Sequence, residues 1–221
     1  MDRVSGFIRS FLTDDGEPLK GLYDEAVAEG IPVIRKETKE FIKTLIRMKK
    51  PMRILEIGAA IGYSSLYMSS VMPPDGKITT IELDGDRYAR AVSNIKNMGR
   101  EDMISVIHGD ALEVISNLAD DSFDMIFVDA AKGQYINYLP QVMRIIKDDG
   151  IIVSDNVLQD GEIFESHFVV EKRNRTIHDR MRDYLYAITH DTRLHTSINP
   201  VGDGVAVTCV RKHSENENIC L

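Results

Sequence analysis

Cysteine is almost missing from the chain. Only two occur in 221 residues, Cys209 in a late apolar run and Cys220 beside the C-terminus. Neither stands in a zinc-ligand spacing, so the reading is a buried thiol and a tail thiol in a reducing compartment. Long hydrophobic runs are absent too: none approaches the roughly 18 apolar residues of a spanning helix. The opening MDRVSGFIRSFLTDDGEP is broken by Arg9, Asp14 and Asp15 and lacks the apolar stretch of a secretion signal. The expectation is a cytoplasmic protein. Positive charge is in deficit, with 27 Lys and Arg against 35 Asp and Glu, net −8. That excludes non-specific nucleic-acid binding by the chain as a whole, although a local basic patch remains open.

What is present is alternation. Residues 1–50 read as a helical cover, in which Ile34, Phe41, Ile42, Leu45 and Ile46 recur at helical spacing. Residues 51–213 then alternate apolar strands (RILEIG, KITTIELD, ISVIHGD, FDMIFVDA, GIIVSDNVL) with helical stretches. The helix YINYLPQVMRIIKDDG is expected to end on a glycine cap at Gly150. Such alternation predicts a parallel sheet with helices on both faces. A charged helix over 172–190 leads to a final antiparallel pair, RLHTSINPVGD and GVAVTCVRK, turning at Pro200 to Gly204 and bringing the strands to seven. The whole reads as one α/β domain with a loose tail over 214–221 and no internal repeat.

Chemistry-bearing residues fall at the strand ends. Glu56 and Gly58 end the first strand, and Gly62 opens the next helix; a structural turn is as good a reading as a cofactor loop, and a dinucleotide G-x-G-x-x-G is absent. Glu82 ends the second strand, where a carboxylate can accept ribose hydroxyls, and Asp110 and Ala111 follow the third. Asp129 ends the fourth, and Asp155 and Asn156 end the fifth. These are three hard oxygen donors suited to magnesium. Lys132, three residues beyond Asp129, is placed to take a proton from a hydroxyl held there.

The strings EIGAAIGYSS, IELD, GDA, FVDAAKGQY and SDNVL, in this order and spacing, resemble the class I S-adenosylmethionine-dependent, metal-dependent O-methyltransferases, which include catechol and caffeoyl-CoA O-methyltransferases. The resemblance implies a Rossmann-like class I methyltransferase fold: seven strands, mostly parallel, with an antiparallel last strand. It implies that Ile34, Glu56, Gly58, Ser64, Glu82, Asp110, Ala111 and Asp129 bind S-adenosylmethionine. It further implies that Asp129, Asp155 and Asn156 hold Mg²⁺ or another divalent cation, that Lys132 is the general base, and that the chain is a homodimer. Lys39 stands where many relatives have glycine.

Within the family, DAAKGQYINY, DNVLQDG and NPVGDGVAV look most like the bacterial tRNA 5-hydroxyuridine methyltransferases. That implies transfer to the 5-hydroxyl of uridine 34 in the tRNA anticodon stem-loop, giving 5-methoxyuridine. Lys172, Arg173, Arg175, Arg180 and Arg182, five cations in eleven residues, are then the expected phosphate contacts, with Tyr135, Tyr138 or Phe164 to stack on a base. The rival within enzymes is a small-molecule O-methyltransferase of the catechol or caffeoyl-CoA type. A cofactor-binding module without chemistry is the rival outside them.

Overall fold

The computed structural model describes residues 3–212, the side chain of Asp160 excepted; Cys220 and the tail over 214–221 lie outside the described residues. Three helices come first, α1 (Arg3–Arg9), α2 (Leu19–Ala28) and α3 (Lys36–Lys49). Strand and helix then alternate through β1 (Arg53–Ile57), α4 (Tyr63–Ser69), β2 (Lys77–Glu82), α5 (Gly85–Asn97), β3 (Ile104–His108), α6 (Ala111–Ser116), β4 (Phe123–Val128), α7 (Tyr135–Ile145) and β5 (Ile146–Ser154). Helix α8 (Arg175–His190) and the hairpin β6 (Leu194–Asn199) and β7 (Val205–Val210) complete the order.

The seven strands form one sheet in the order β3-β2-β1-β4-β5-β7-β6. Pairings among β1 to β5 are parallel, while β7 runs antiparallel to both β5 and β6, so six strands share one direction. This is the expected Rossmann-like arrangement. Period-two alternation divides the core. Leu55, Ile57, Ile126 and Val128 pack on one face with residues of α7 and α8, and Ile54, Met125, Phe127 and Val153 pack on the other with residues of α3 and α4. Central parallel strands covered on both faces explain the apolar stretches 54–55, 125–128 and 151–153 in β1, β4 and β5.

Two details differ from expectation. Helix α7 ends at Ile145 without a glycine cap; Ile146 is already extended and pairs with Phe123, so Gly150 lies inside β5. Cys209, expected inside, is exposed. It follows Val207 on one face of β7 and lies opposite His195 of the edge strand β6.

The N-terminal cover is held by ion pairs as well as apolar contact. Arg9 donates to both carboxylate oxygens of Glu37, at 2.6 and 2.7 Å, fastening α1 to α3. Lys39, only 2% exposed, donates to Asp15 at 2.7 Å, and Tyr63 donates to the other Asp15 oxygen at 2.6 Å. Burial pushes the Asp15 carboxyl up, but the hydrogen bonds from Lys39 and Tyr63 outweigh it and hold the group below the usual range. Lys39 is thus a buried cation with its own counter-ion.

Candidate active site

The sheet reverses its winding between β1 and β4, and open α/β sheets bind ligands in the crevice at such a switch point. A cavity of about 750 Å³ opens there. Its wall collects Ile34, Gly58, Ser64, Glu82, Asp110, Ala111, Asp129, Lys132 and Asn156, residues spread over more than 120 positions of the chain. The volume falls within the range of small-molecule and cofactor sites.

Gly58 has φ +103, and a Cβ there would lie 2.1 Å from the Asp129 carbonyl oxygen. The glycine is needed because two strand ends meet, β1 against β4, rather than for close approach of a ligand alone. The Asp129 N–H donates to the Ile57 carbonyl at 3.0 Å and locks the two ends together. Further along the wall, Glu82 is oriented by two backbone donors, Ala60 N–H at 2.7 Å on one oxygen and Asp84 N–H at 2.9 Å on the other. Each oxygen keeps lone-pair capacity for a hydroxyl pair. Asp110 caps α6, accepting from Leu112 and Glu113 N–H through Oδ1.

Glu56 sits apart from the cavity wall. It is fully buried beneath it, with Oε2 accepting from Ser65 and, at 2.6 Å, from Thr80. Burial raises its carboxyl to about 7, against the hydroxyl donors that lower it. Oε1 has no hydrogen-bond partner among the described residues, although Ser64 of the cavity wall is near enough to oppose the rise.

The fourth and fifth strand ends bring Asp129, Asp155 and Asn156 to one rim. Burial raises Asp129 to about 6, with the Lys132 charge opposing. Burial, reinforced by the Asp129 charge, raises Asp155 to about 8. Two carboxyls that hinder each other's ionisation, beside an amide oxygen, form an all-oxygen donor set that fits a hard divalent cation. Asn156 takes φ +55, which turns it out of the strand line at the point where its side chain joins the set. Lys132 opens a 3-10 turn, Lys132–Gln134, one turn beyond Asp129 and on the same wall.

Tyr135 is a site residue whose role sequence reasoning missed. Expected as a base-stacking ring, it is 1% exposed, and its hydroxyl lies 3.2 Å from the Val128 carbonyl and 3.1 Å from the Asp155 carbonyl. It ties the ends of β4 and β5, and so sets the spacing of the two carboxylates. Tyr138 is also buried, on the cavity wall, whereas Phe164 is 73% exposed.

A second cavity, of about 660 Å³, opens at the same end of the sheet between α1, the loop after β5 and the β6–β7 turn. Arg9, Arg35, Phe164 and Asp203 line it, and the Asp203 charge reaches Asp155. Of the five expected phosphate contacts, Arg175 donates to the Val170 and Phe168 carbonyls, Arg180 to Gly133 and Arg182 to Ile163. Lys172 is exposed, and so is Arg173, which pairs with Glu171 at 2.8 Å.

Known proteins share this architecture. The family model described as O-methyltransferase matches residues 13–213. Caffeoyl-CoA O-methyltransferase 1 of Eucalyptus globulus is 30% identical over 198 residues, covering 86% of this chain and 80% of that protein. A solved structure from Staphylococcus aureus has a TM-score of 0.87 at 30% identity, over 95% of this chain and all of that one. The S-adenosylhomocysteine-bound methyltransferase of Podospora anserina has a TM-score of 0.83 at 25% identity, over 95% and 94% of the two chains. The chain belongs to the O-methyltransferase family.

Proposed function

We propose that the protein transfers a methyl group from S-adenosylmethionine to one of two vicinal oxygens of an acceptor of the catechol or caffeoyl-CoA kind, with a divalent cation. The observation that carries this reading is the meeting of Asp129, Asn156 and Lys132 on the wall of one cavity, with Asp155 buried next to Asn156 and within reach of the Asp129 and Lys132 charges. When bound, the sulfonium cofactor supplies the methyl group and the cation supplies positive charge that favours an ionised hydroxyl.

The chain's own residues do the rest. Glu82 orients the ribose end, and Glu56 Oε1 sits below the floor as an acceptor. Asp129, Asp155 and Asn156 would hold the cation, and Tyr135 keeps their strands in register. Lys132 Nζ, once it has given up its own proton, would take that of the acceptor hydroxyl, and the ammonium so restored lies beside Asp129. Alignment of two reactants in a walled site accounts for much of the acceleration.

A second reading has support of its own. A 5-hydroxyuracil presents its hydroxyl beside the O4 carbonyl, the same vicinal pair, and Lys172 and Arg173 stand exposed outside the site. The acceptor would then be 5-hydroxyuridine 34 of tRNA. A single assay separates the two: the purified protein, S-adenosylmethionine and Mg²⁺ with a catechol, a monophenol or tRNA carrying 5-hydroxyuridine. Methylation of the catechol alone, abolished by chelator, is expected on the first reading. Preferential methylation of the tRNA, lost in Lys172→Glu/Arg173→Glu while the catechol still reacts, would replace it with the second. Equal transfer to the monophenol would overturn the vicinal-oxygen requirement of both.

A further inference from the structure

Between the 3-10 turn Gln159–Phe164 and helix α8, residues 165–174 run without regular structure, and they carry one of two histidines that converge on a single carboxylate oxygen. His178, on the first turn of α8, is 1% exposed. Its Nε2 lies 3.2 Å from the Glu165 carbonyl oxygen, which can only accept, so Nε2 carries a hydrogen. Its Nδ1 lies 3.2 Å from Asp179 Oδ1. In a neutral ring of that tautomer Nδ1 is a lone pair, and a lone pair facing a carboxylate oxygen is repulsive unless a cation stands between them. His167 Nδ1 lies 2.9 Å from the same Oδ1.

We infer that His167, His178 and Asp179 form a site for a transition-metal cation of the zinc class, which pins the 165–174 segment to α8. A buried histidine that donates its far N–H to a backbone carbonyl is in the setting typical of a metal ligand, with tautomer and ring orientation already fixed. Zinc bonds of about 2.0–2.2 Å in a tetrahedron place neighbouring ligand atoms about 3.3–3.5 Å apart, and the separations of 2.9 and 3.2 Å are within a few tenths of this. One ligand atom from each of the three residues lies within 4.8 Å of the others. The His167 and Asp179 side chains are 43% and 48% exposed, which leaves a solvent-facing fourth position.

Two nitrogens and one oxygen select zinc, cobalt, nickel or copper, whereas magnesium prefers oxygen alone. The chain would therefore hold two chemically distinct cation sites. The pinned segment follows directly on Phe164 of the second cavity and bears exposed Phe168 and Val169, so occupancy orders the surface beside that cavity.

Co²⁺ is the probe, because its visible spectrum reports four-coordinate geometry. Full-length wild type, Asp155→Ala, His167→Ala and Asp179→Asn would each be titrated at neutral pH, with bound metal counted by mass spectrometry. His167 and Asp179 are half-exposed, so their variants keep the fold; circular dichroism checks this. The expected result is a tetrahedral Co²⁺ spectrum in wild type and Asp155→Ala. In His167→Ala and Asp179→Asn that binding weakens by more than the about 10–100-fold that loss of an outer-shell partner produces. Zn²⁺ should also slow amide exchange over 165–174 in wild type and leave it unchanged in His167→Ala. No such spectrum in Asp155→Ala, or equal binding with and without His167, overturns the site and leaves a proton as the bridging cation.

Discussion

Gly58→Ala is the sharpest test of how the site is built. The new Cβ would stand 2.1 Å from the Asp129 carbonyl oxygen and 2.9 Å from its carbon; reaching even 3.0 Å requires a displacement of about 0.9 Å. Asp129 cannot yield freely, since its N–H is bonded to Ile57 and Tyr135 anchors the preceding carbonyl. Two consequences separate. An alanine held at φ +103 is strained by about 1–3 kcal/mol. For a chain of this size each kcal/mol lowers Tm by about 2–4 °C. A carboxylate moved by about 1 Å is expected to lose on the order of 10²-fold in turnover.

Gly62→Ala is the matched control. Gly62 also has positive φ, +84, but its Cβ would meet only Ala91 atoms at 3.4 Å, an ordinary contact. It should lose similar stability and keep its activity. Thermal unfolding, cofactor titration and kcat/KM on the methyl acceptor distinguish the two variants. If Gly58→Ala turned over like Gly62→Ala, the claim that this glycine positions Asp129 would be wrong.

The raised carboxyls make divalent-cation affinity pH-dependent. Burial raises both carboxyls and the Asp129 charge raises Asp155 further, so near neutral pH the cation-free pair shares a proton that binding should expel. Affinity should climb from pH 6 to 8 and level off above pH 9; calorimetry in buffers of different ionisation enthalpy reads both, and a flat profile refutes the assignment. Glu56 acts on stability. Its folded value of about 7 exceeds the ordinary 4.5, so its contribution is full below pH 4.5 and lost as pH rises through 7. At ~1.4 kcal/mol per pH unit the gap amounts to about 3 kcal/mol, and the difference between wild type and Glu56→Gln in urea melts at pH 4.5 and 7.5 should show it. Asp15→Ala leaves the buried Lys39 ammonium with only Glu40, at 3.6 Å, and should cost about 3 kcal/mol, most of it recovered by Asp15→Leu/Lys39→Met. Equal stability of the single and double variants would show that the pair is not coupled.

The strand ends were legible because the physics that makes them is local. A parallel strand buried on both faces is rich in apolar residues, and the first acid at its C-terminal end marks the rim; Glu82, Asp129 and Asp155 are found in that way. The same rule misplaces Glu56, which is polar inside a run. It ends up under the cavity because Ser65 and Thr80, 9 and 24 residues away, turn their hydroxyls to it. Partners at such separations leave no periodic trace. The Lys39 to Asp15 pair and the carbonyl contacts of Arg180 and Arg182 are hidden for that reason, and with Arg175 bonded to carbonyls 5 and 7 residues back, a run of cations that reads as a binding face proves largely engaged with its own backbone.

The glycine cap expected at Gly150 fails for a related cause. The polar stretch KDDG resembles a helix exit, yet Ile146 on its near side pairs with Phe123, and strand pairing overrides local turn chemistry. Positions decided by the next residue or the next turn were therefore recoverable, and positions decided by a distant partner were not. That division falls inside the site itself. The acids and the lysine come from local pattern. Their spacing comes from Tyr135 and Gly58, whose contacts join β4 to β5 and β1 to β4, and acceptor discrimination is accordingly expected to respond to changes at these positioning residues as much as at the donors.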